Sequence, residues 1–410
     1  MSMSNEFSEL TINITKQLSK TVKKEQGIFI TPKTIIKKLV EYLKQYILMN
    51  EQKYEILEPS CGTCEIVRYL DELFDNISID AIENNEIIFE KIKNNLSFKN
   101  GVNLHKSDFI KYTTNKLYDM IIGNPPYLVI EKHNVPDEYN KYIIGRPNLF
   151  GLFIIHSLSM LKINGILAFI IPKSFLNSSY YSTIRNYMKQ NGEILNIIDF
   201  EKDGGFIDTQ QSTFGIIYRK TNTINKPIEC TYSITFNNNF MFSEDANSLR
   251  QLLHGSTTLS KLGLSVKTGN IVWNQRKSQL TNDNTKTLLL YNSNISKNNS
   301  FSLLDFSNDE KKQYINMDGI NDTVIVVNRG NGNSAYKLNY ALVDGTRKYL
   351  VENHLNVIYY PTIHGDELKN LFNKIINSFK NPKTQQFIQC FLGNNGLSKT
   401  ELETVFPIYL

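Results

Sequence analysis

The sequence predicts an α/β protein whose first half is built around a mostly parallel sheet with helices on both faces. Between about Glu55 and Arg219, short β-rich apolar runs alternate with longer stretches of helical periodicity. Such alternation is typical of parallel sheets. The run Ile166–Ile171 is apolar throughout, which indicates a central strand buried on both faces.

The individual elements of this half follow from the same periodicities. The predicted strands are Tyr54–Leu57, Ser78–Ile82, Asn103–His105, Met120–Ile122, Ile166–Ile171, Ile194–Phe200 and Thr213–Tyr218. The predicted helices are Lys33–Tyr46, Glu65–Phe74, Asn85–Asn95, Leu149–Leu161 and Tyr181–Gln190. The pattern lapses at Lys220–Lys226, which predicts two domains, residues 1–226 and 227–410. The second is richer in short strands and turns and ends in two helical stretches, Asp366–Phe379 and Lys399–Val405.

Composition narrows the class of protein. The chain has 410 residues, 41% hydrophobic and 21% charged, as expected of two globular domains. No apolar run is long enough to span a bilayer, and Met1–Lys24 lacks the apolar core of a signal peptide. The four cysteines are too few and too scattered for a disulfide framework, so we expect a cytoplasmic protein without a membrane partner. The net charge of +5 permits a nucleic-acid partner without requiring one.

A strand followed by a tight turn of small residues predicts a ligand site. The segment reads Glu58-Pro59-Ser60-Cys61-Gly62. Ligands of open α/β sheets bind beyond the carboxyl ends of strands, where small residues let them approach the backbone. An acid precedes the turn and only one glycine is present, so the pattern differs from the phosphate-binding GxGxxG. We therefore expect a ligand without phosphate. Glu58 could accept a hydrogen bond from an ammonium group of that ligand.

Two further acids follow strands. Glu83, beside Asn84, is placed where a carboxylate would bind ribose hydroxyls. Asp108, beside Phe109, is placed to contact an adenine amine and to cover its ring. Each acid alone would more often be an ordinary loop residue. Three strand-end acids in order, Glu58 with its turn first and then Glu83 and Asp108, predict a nucleoside site.

The spacing of Cys61 and Cys64 also fits a zinc or redox motif. Zinc would need a second pair of ligands, and Cys230 and Cys390 lie far apart in the sequence. We therefore predict no metal and interpret both cysteines as small residues of the turn.

The segment Asn124-Pro125-Pro126-Tyr127 directly follows an apolar strand and predicts the catalytic loop. Two prolines fix the backbone and remove two N–H donors, so the loop presents carbonyls and the Asn124 amide in a preset geometry. An aromatic amine is a poor nucleophile because its lone pair is delocalised. If the Asn124 side-chain oxygen and the Pro125 carbonyl accept its two N–H groups, the nitrogen gains tetrahedral character. Tyr127 could then stack on the ring of a base taken out of a duplex.

In this order the motifs resemble those of the gamma-class, TaqI-like N6-adenine DNA methyltransferases, over nearly the whole chain. The resemblance implies a mostly parallel S-adenosylmethionine-methyltransferase (Rossmann-like) sheet, followed by a mixed α/β target-recognition domain. It implies S-adenosylmethionine as cofactor and places Thr31 and Pro32 at the cofactor site. Phe206 falls where the family has an aromatic against the flipped adenine. Cys64 stands where the family usually has glycine, and we expect it at the helix start with ordinary backbone angles.

The same resemblance makes double-stranded DNA the partner and the second domain the recognition domain. Basic and aromatic residues there are candidates for DNA contacts: Lys267, Trp273, Arg276, Lys277 and Arg329. For any one of them, a solvated basic surface is an equally good interpretation. We expect a monomer, and a separately encoded restriction endonuclease is a candidate partner.

Other functions share parts of this pattern. A protein glutamine amide is also a planar, delocalised nitrogen, so the Asn-Pro-Pro-Tyr loop fits glutamine or RNA methyltransferases too. The long region after the boundary and the Thr31-Pro32 element favour DNA. A DNA-binding module that has lost its activity is a further alternative. The presence of a suitable residue at every expected catalytic position argues against it.

Overall fold

In the computed structural model the chain forms two compact units. The first consists of Met1–Ile234 and Phe240–Ala246, and the second of Thr235–Asn239 and Asn247–Leu410. The structure describes residues 6–47, 53–200, 212–222, 231–296, 298–306, 310–330, 336–392 and 396–410.

The first unit contains a seven-stranded sheet of order β3-β2-β1-β4-β5-β7-β6. Its strands are β1 (Tyr54–Glu58), β2 (Ile77–Glu83), β3 (Gly101–Lys106), β4 (Tyr118–Gly123), β5 (Leu161–Pro172), β6 (Gly192–Asp199) and β7 (Thr213–Lys220). The pairings among β1 to β5 are parallel, whereas β7 runs antiparallel to both β5 and β6. The predicted fold class, an α/β fold built on a mostly parallel sheet, is confirmed.

Helices cover both faces of this sheet. They are α1 (Glu9–Gln17), α2 (Lys20–Gln26), α3 (Lys33–Leu43), α4 (Glu65–Leu73), α5 (Glu86–Asn95), α6 (Leu149–Met160) and α7 (Ser182–Asn191). Successive strand residues alternate between two apolar clusters, so that Ile56 packs with α3 and α4 and Leu57 packs with α6. Because both faces are covered, the central strands are buried along nearly their whole length, as Ile166–Ile171 predicted.

The first unit extends further along the chain than the predicted boundary. The boundary itself, between residues 226 and 227, lies outside the described residues. Beyond it, Phe240 and Phe242 belong to the apolar cluster that contains α6. The Phe240 carbonyl also accepts a hydrogen bond from the buried Arg185 guanidinium at 2.9 Å. Burial of these two aromatic side chains is what holds this later segment in the first unit.

The second unit combines two four-stranded sheets with helices. Its strands are β10 (Ser265–Thr268), β11 (Leu280–Thr281), β12 (Thr287–Leu290), β13 (Tyr314–Ile315), β14 (Val324–Asn328), β15 (Tyr340–Val343), β16 (Tyr349–Val351) and β17 (Leu355–Tyr359). A hairpin of β8 (Ser233–Phe236) and β9 (Asn239–Phe242) precedes them in the chain, and its residues are divided between the two units. Its helices are α8 (Ala246–Leu253), α9 (Gly365–Phe379), α10 (Pro382–Phe391) and α11 (Lys399–Thr404). One sheet, β10-β17-β14-β15, is antiparallel, and the other, β11-β13-β12-β16, is mixed. Within the described ranges, no helix is both long and apolar enough to cross a membrane.

Candidate active site

A cavity of about 590 Å³ lies at the carboxyl ends of β1, β2 and β4 and beside the end of β3. These four strands are neighbours in the sheet, so the residues that follow them meet at one edge. The cavity is lined by most residues that the sequence predicted for a cofactor: Thr31, Glu58, Pro59, Ser60, Cys61, Gly62, Glu83, Asn84, Asp108, Phe109 and Asn124. Its volume suits a ligand of nucleoside size or somewhat larger.

The turn after β1 has the open backbone that ligand approach requires. Gly62 has φ +52°, and a Cβ at this position would meet no atom within 4 Å. The turn is fixed by two backbone hydrogen bonds, from Cys61 N to the Ile82 carbonyl at 2.8 Å and from Cys64 N to the Cys61 carbonyl at 2.7 Å. Its glycine therefore presents bare backbone to the cavity.

The expectation for Cys64 was wrong. Cys64 precedes α4 with φ +62° and ψ 28°, in the left-handed region. This conformation costs a residue with a Cβ about 1–2 kcal/mol relative to glycine. Cys64 is fully buried, so its packing among apolar side chains offsets part of that cost.

Glu58 is a buried carboxylate with an unused acceptor. Its side chain is 2% exposed, and its Oε2 atom has no hydrogen-bond partner among the described residues. Burial, and then the charge of Glu83, raise the pKa of Glu58 well above its usual range, although the Val67 N–H lowers it. A buried carboxylate of this kind favours a cationic ligand group beside it.

Glu83 lines the cavity and also holds the backbone around it. Its Oε2 accepts a hydrogen bond from Gly62 N at 2.9 Å, and its Oε1 accepts one from Asn85 N at 2.6 Å. The carboxylate thus ties the end of β2 to the glycine turn and to the start of α5. Burial raises the pKa of Glu83, against the lowering effect of these N–H groups. Since each carboxylate oxygen has two lone pairs, both can still accept a ligand hydroxyl.

Asp108 and Phe109 line the cavity after β3. Asp108 caps the turn after β3, with its Oδ1 accepting from Ile110 N at 3.1 Å. Phe109 is only 2% exposed and packs against Phe153 with ring centroids 4.8 Å apart. Most of the Phe109 ring therefore belongs to the core, although the residue also lines the cavity.

The Asn124 side chain is held from both ends. Its Nδ2 donates to the Phe29 carbonyl at 3.2 Å and to Thr31 Oγ1 at 3.1 Å. Its Oδ1 accepts from the Tyr127 hydroxyl at 2.5 Å. The Asn124 carbonyl accepts a further hydrogen bond from Ser60 Oγ at 3.2 Å, which connects the loop to the glycine turn. The amide therefore has one defined orientation at the edge of the cavity.

The Tyr127 side chain is turned towards the interior. Its ring lies near Phe29, with centroids 6.1 Å apart and an interplanar angle of 22°, and edge-on to Phe150 at 6.2 Å. Its hydroxyl is also within 2.9 Å of the Ile170 carbonyl. Phe206, which was predicted to face the same base, lies outside the described residues.

The segment Gly27–Thr31 forms one wall of the cavity. Gly27 ends α2 with φ +62°, and a Cβ there would lie 3.1 Å from Pro126 Cβ, so the two segments approach closely. Pro126 lines the cavity as well, whereas Pro32 and Pro125 do not. Pro32 instead precedes the first turn of α3, and its carbonyl accepts hydrogen bonds from Ile35 N and Ile36 N.

Sequence reasoning missed several residues of the lining. Ile87 is 52% exposed despite its large apolar side chain, and it lies in the cavity wall next to Asn85 and Glu86. An aliphatic residue in the first turn of a helix that begins after a strand-end acid was the signal that could have identified it. Gln26 and the next four residues, up to Ile30, also line the cavity, and their sequence signal was weaker: it was the glycine that ends α2.

The two cysteines near the turn are buried thiols. Cys61 and Cys64 are free and buried. A hydrogen bond with Cys64, and then burial, raise the pKa of the Cys61 thiol well above its usual range, which disfavours the thiolate that a metal needs. Throughout the described ranges, no group of three or more histidine, cysteine or acidic side chains has the geometry to hold a metal ion. Cys230 lies outside those ranges.

The residues predicted to contact DNA lie in the second unit, most of them with partners. Lys267 lies over the Tyr359 ring at 4.8 Å, and Lys277 pairs with Glu310 at 2.5 Å. The predicted residues Trp273 and Arg329 are likewise engaged: Lys311 lies 5.7 Å from the Trp273 ring, and the Arg329 guanidinium donates to the Asn353 carbonyl at 2.9 Å.

Arg276 is the exception among the five. It is exposed, and its side chain makes no hydrogen bond or ion pair with another described residue. It is flanked by two short 3-10 turns, Trp273–Gln275 and Lys277–Gln279, which hold its backbone in place.

Comparison with known proteins supports a modification enzyme. Residues 64–206 match the family described as Eco57I restriction-modification methylase. The modification methylase CviBIII of Paramecium bursaria Chlorella virus NC1A is 28% identical over 98% of this chain and 99% of its own length. The type II methyltransferase M.CvrRI of Paramecium bursaria Chlorella virus XZ-6E is 23% identical over the same shares. Among solved structures, the M protein of the type I restriction enzyme EcoKI aligns with a TM-score of 0.37 and 17% identity, covering 48% of this chain and 45% of that one. Over nearly its whole length the chain is similar to methylases of restriction-modification systems.

Proposed function

We propose that the protein is a site-specific DNA adenine N6-methyltransferase of the TaqI-like gamma class. It transfers a methyl group from S-adenosylmethionine to a flipped-out adenine in duplex DNA, as the modification half of a restriction-modification system. The observation that carries this proposal is the Asn124 amide, oriented at the edge of the same cavity that Glu58 and Glu83 line. The full-length likeness to modification methylases supports DNA as the substrate.

The residues of the cavity fit S-adenosylmethionine. When bound, this cofactor supplies an electrophilic methyl group. The unpartnered Oε2 of Glu58 would accept its ammonium group, and the Glu83 carboxylate would accept the ribose hydroxyls. Asp108 and Ile87 would hold the adenine, and Gly62 leaves room for the ligand to approach the backbone.

Asn124 would activate the substrate amine. Its Oδ1 and the Pro125 carbonyl accept the two N–H groups of the amine, which draws the nitrogen lone pair out of the ring and stabilises the charge that develops on transfer. Because a carbonyl oxygen has two lone pairs, Oδ1 can take an amine N–H beside the Tyr127 hydroxyl. Neither a covalent intermediate nor a titrating histidine is needed.

Base flipping follows from access, because an adenine paired inside a duplex cannot reach a cavity at a sheet edge. Extrusion costs a few kcal/mol of pairing and stacking, and aromatic contacts return part of it. Stacking on the base would require the Tyr127 ring to leave its present contacts with Phe29 and Phe150.

We expect Tyr127→Ala to weaken capture of the flipped base. With 2-aminopurine at the target position of a duplex, the native protein should raise the fluorescence as the base unstacks, and the variant should raise it less and transfer more slowly. A mismatch at the target should partly rescue the variant by lowering the cost of extrusion. Persistent quenching in a tight, active native complex, or no rescue by the mismatch, would contradict the flipping role.

We assign recognition of the site to the second unit, where Arg276 is the most available of the five predicted contacts. We expect Arg276→Ala to weaken binding to duplex DNA and to reduce the slope of log affinity against log salt by about 1, as for one lost phosphate contact. Lys277→Ala is the matched control, because Lys277 is already paired with Glu310 and its loss should change affinity less. Fluorescence anisotropy at several salt concentrations measures both. Equal losses in the two variants would remove Arg276 from the interface.

The substrate class is tested by offering alternatives side by side. Purified protein and labelled S-adenosylmethionine are incubated with duplex DNA, with RNA of the same sequences, and with a glutamine-containing protein extract. We expect label in the DNA only. Label in RNA or protein with none in DNA would overturn the proposal in favour of the RNA or protein-glutamine activity.

A further inference from the structure

The Asn124 amide has two ends of almost equal shape, and only one of them can do the proposed chemistry. The substrate amine needs acceptors, so Oδ1 has to face it, whereas a reversed amide would present N–H groups to N–H groups. Something in the protein must therefore select between two orientations that differ by a half-turn of the amide.

The contacts that hold the amide come from a segment distant in the sequence from the catalytic loop. Among them the Phe29 carbonyl selects the orientation, because a carbonyl can only accept, whereas the Thr31 hydroxyl restrains the selected amide. The Phe29 carbonyl and Thr31 Oγ1 both accept from Asn124 Nδ2, at 3.2 and 3.1 Å. Thr31 is 6% exposed, so water cannot readily replace it. On the other side, the Tyr127 hydroxyl donates to Oδ1. Reversal of the amide would set its oxygen against the Phe29 carbonyl, two acceptors with no hydrogen between them.

We propose that Thr31 is a positioning residue for Asn124: its hydroxyl oxygen holds the amide N–H and thereby presents Oδ1 to the substrate amine. This inference rests on the proposed function and deepens it. It differs from the role expected from the sequence, in which Thr31 contacts the cofactor. Phe29 accepts through its backbone carbonyl, which a substitution does not remove. Of the two acceptors, only the Thr31 hydroxyl can therefore be removed by mutation.

Thr31→Val and Thr31→Ser separate the two roles. Valine keeps the shape but removes the acceptor, so the maximal rate of transfer at saturating cofactor should fall roughly tenfold, the effect of one unmade buried hydrogen bond. Calorimetric affinity for S-adenosylhomocysteine should stay within about twofold. Serine keeps the hydroxyl and should restore most of the rate. If valine weakens S-adenosylhomocysteine binding while the maximal rate survives, Thr31 serves the cofactor and the positioning role is wrong.

A double-mutant cycle tests whether Thr31 acts through Asn124. In an Asn124→Ala background, Thr31→Val should cause little further loss, because the group it orients is gone. An undiminished tenfold loss there would overturn the proposal.

A structural readout keeps this inference distinct from the proposed function. In NMR spectra of the full chain, the Asn124 side-chain N–H that bonds to Thr31 should be protected from exchange in the native protein and in Thr31→Ser, and should exchange faster in Thr31→Val. The N–H that bonds to the Phe29 carbonyl should stay protected in all three. Equal protection of the first N–H in all three would overturn the positioning role. If the native protein methylates no DNA, the proposed function fails, and this readout still decides whether Thr31 holds the amide.

Discussion

Asn124→Ala is expected to lower the rate of methyl transfer by about a hundredfold or more, because it removes an acceptor for the charge that develops on the amine. The affinity for S-adenosylhomocysteine should remain nearly unchanged, since Glu58 and Glu83 are placed to hold the body of the cofactor. Single-turnover kinetics measures the first quantity and titration calorimetry the second.

The control for this variant is another asparagine of the same unit. Asn140 is exposed, away from the cavity lining, and its side chain bonds only locally, to Asp137 at 3.2 Å. Asn140→Ala should retain the native rate. Full activity in Asn124→Ala would remove the loop from the reaction, and loss of cofactor affinity in parallel with rate would give Asn124 a binding role instead.

Glu58→Gln is expected to stabilise the protein without ligand and to weaken cofactor binding at the same time. In the unfolded chain this carboxyl ionises near its ordinary pKa of 4.5, whereas burial delays its ionisation in the folded protein. The unfolded state therefore holds fewer protons over that range, and the native stability falls as pH rises above about 4.5. Glutamine has no such penalty, so its advantage in the free energy of unfolding should appear above that pH and vanish below it.

Glu58→Gln should also weaken binding of the cofactor. Removing one partner of a buried charge pair typically costs 2–5 kcal/mol, so the affinity for S-adenosylhomocysteine should fall on the order of thirtyfold or more. Thermal unfolding across pH and calorimetry measure the two effects. Glu72→Gln, at an exposed position on α4, is the control and should change neither. A destabilised Glu58→Gln, or unchanged affinity, would contradict an ammonium partner at this carboxylate.

Much of the sheet could be predicted because its strands carry a strong local signal. A continuous apolar run such as Ile166–Ile171 leaves few alternatives to a buried strand, and the acids at the ends of β1 and β2 mark where strands stop. Once a parallel sheet was inferred, the meeting of those acids at one edge followed from topology.

The remainder depended on tertiary contacts that leave little trace in sequence. Cys64 has a left-handed backbone although its residue type argues against that conformation. The contact between Thr31 and Asn124 joins positions 93 residues apart, so a single sequence cannot reveal it.

The missed helices have a different cause. The polar N-terminal helices α1 and α2 and the C-terminal α10 have few apolar residues to set a period. Their capping residues, Ser8, Ser19 and Asn381, were the readable signal, each accepting a hydrogen bond from the first turn.

Methylation at N6 of adenine in DNA leaves a product that can be identified chemically. Plasmid DNA incubated with the purified protein and S-adenosylmethionine is digested to nucleosides and analysed by mass spectrometry, with sequencing of the modified positions. We predict N6-methyladenine confined to one short recognition sequence. Methylated cytosine in its place, or unmodified DNA from a protein that binds the cofactor, would contradict the account.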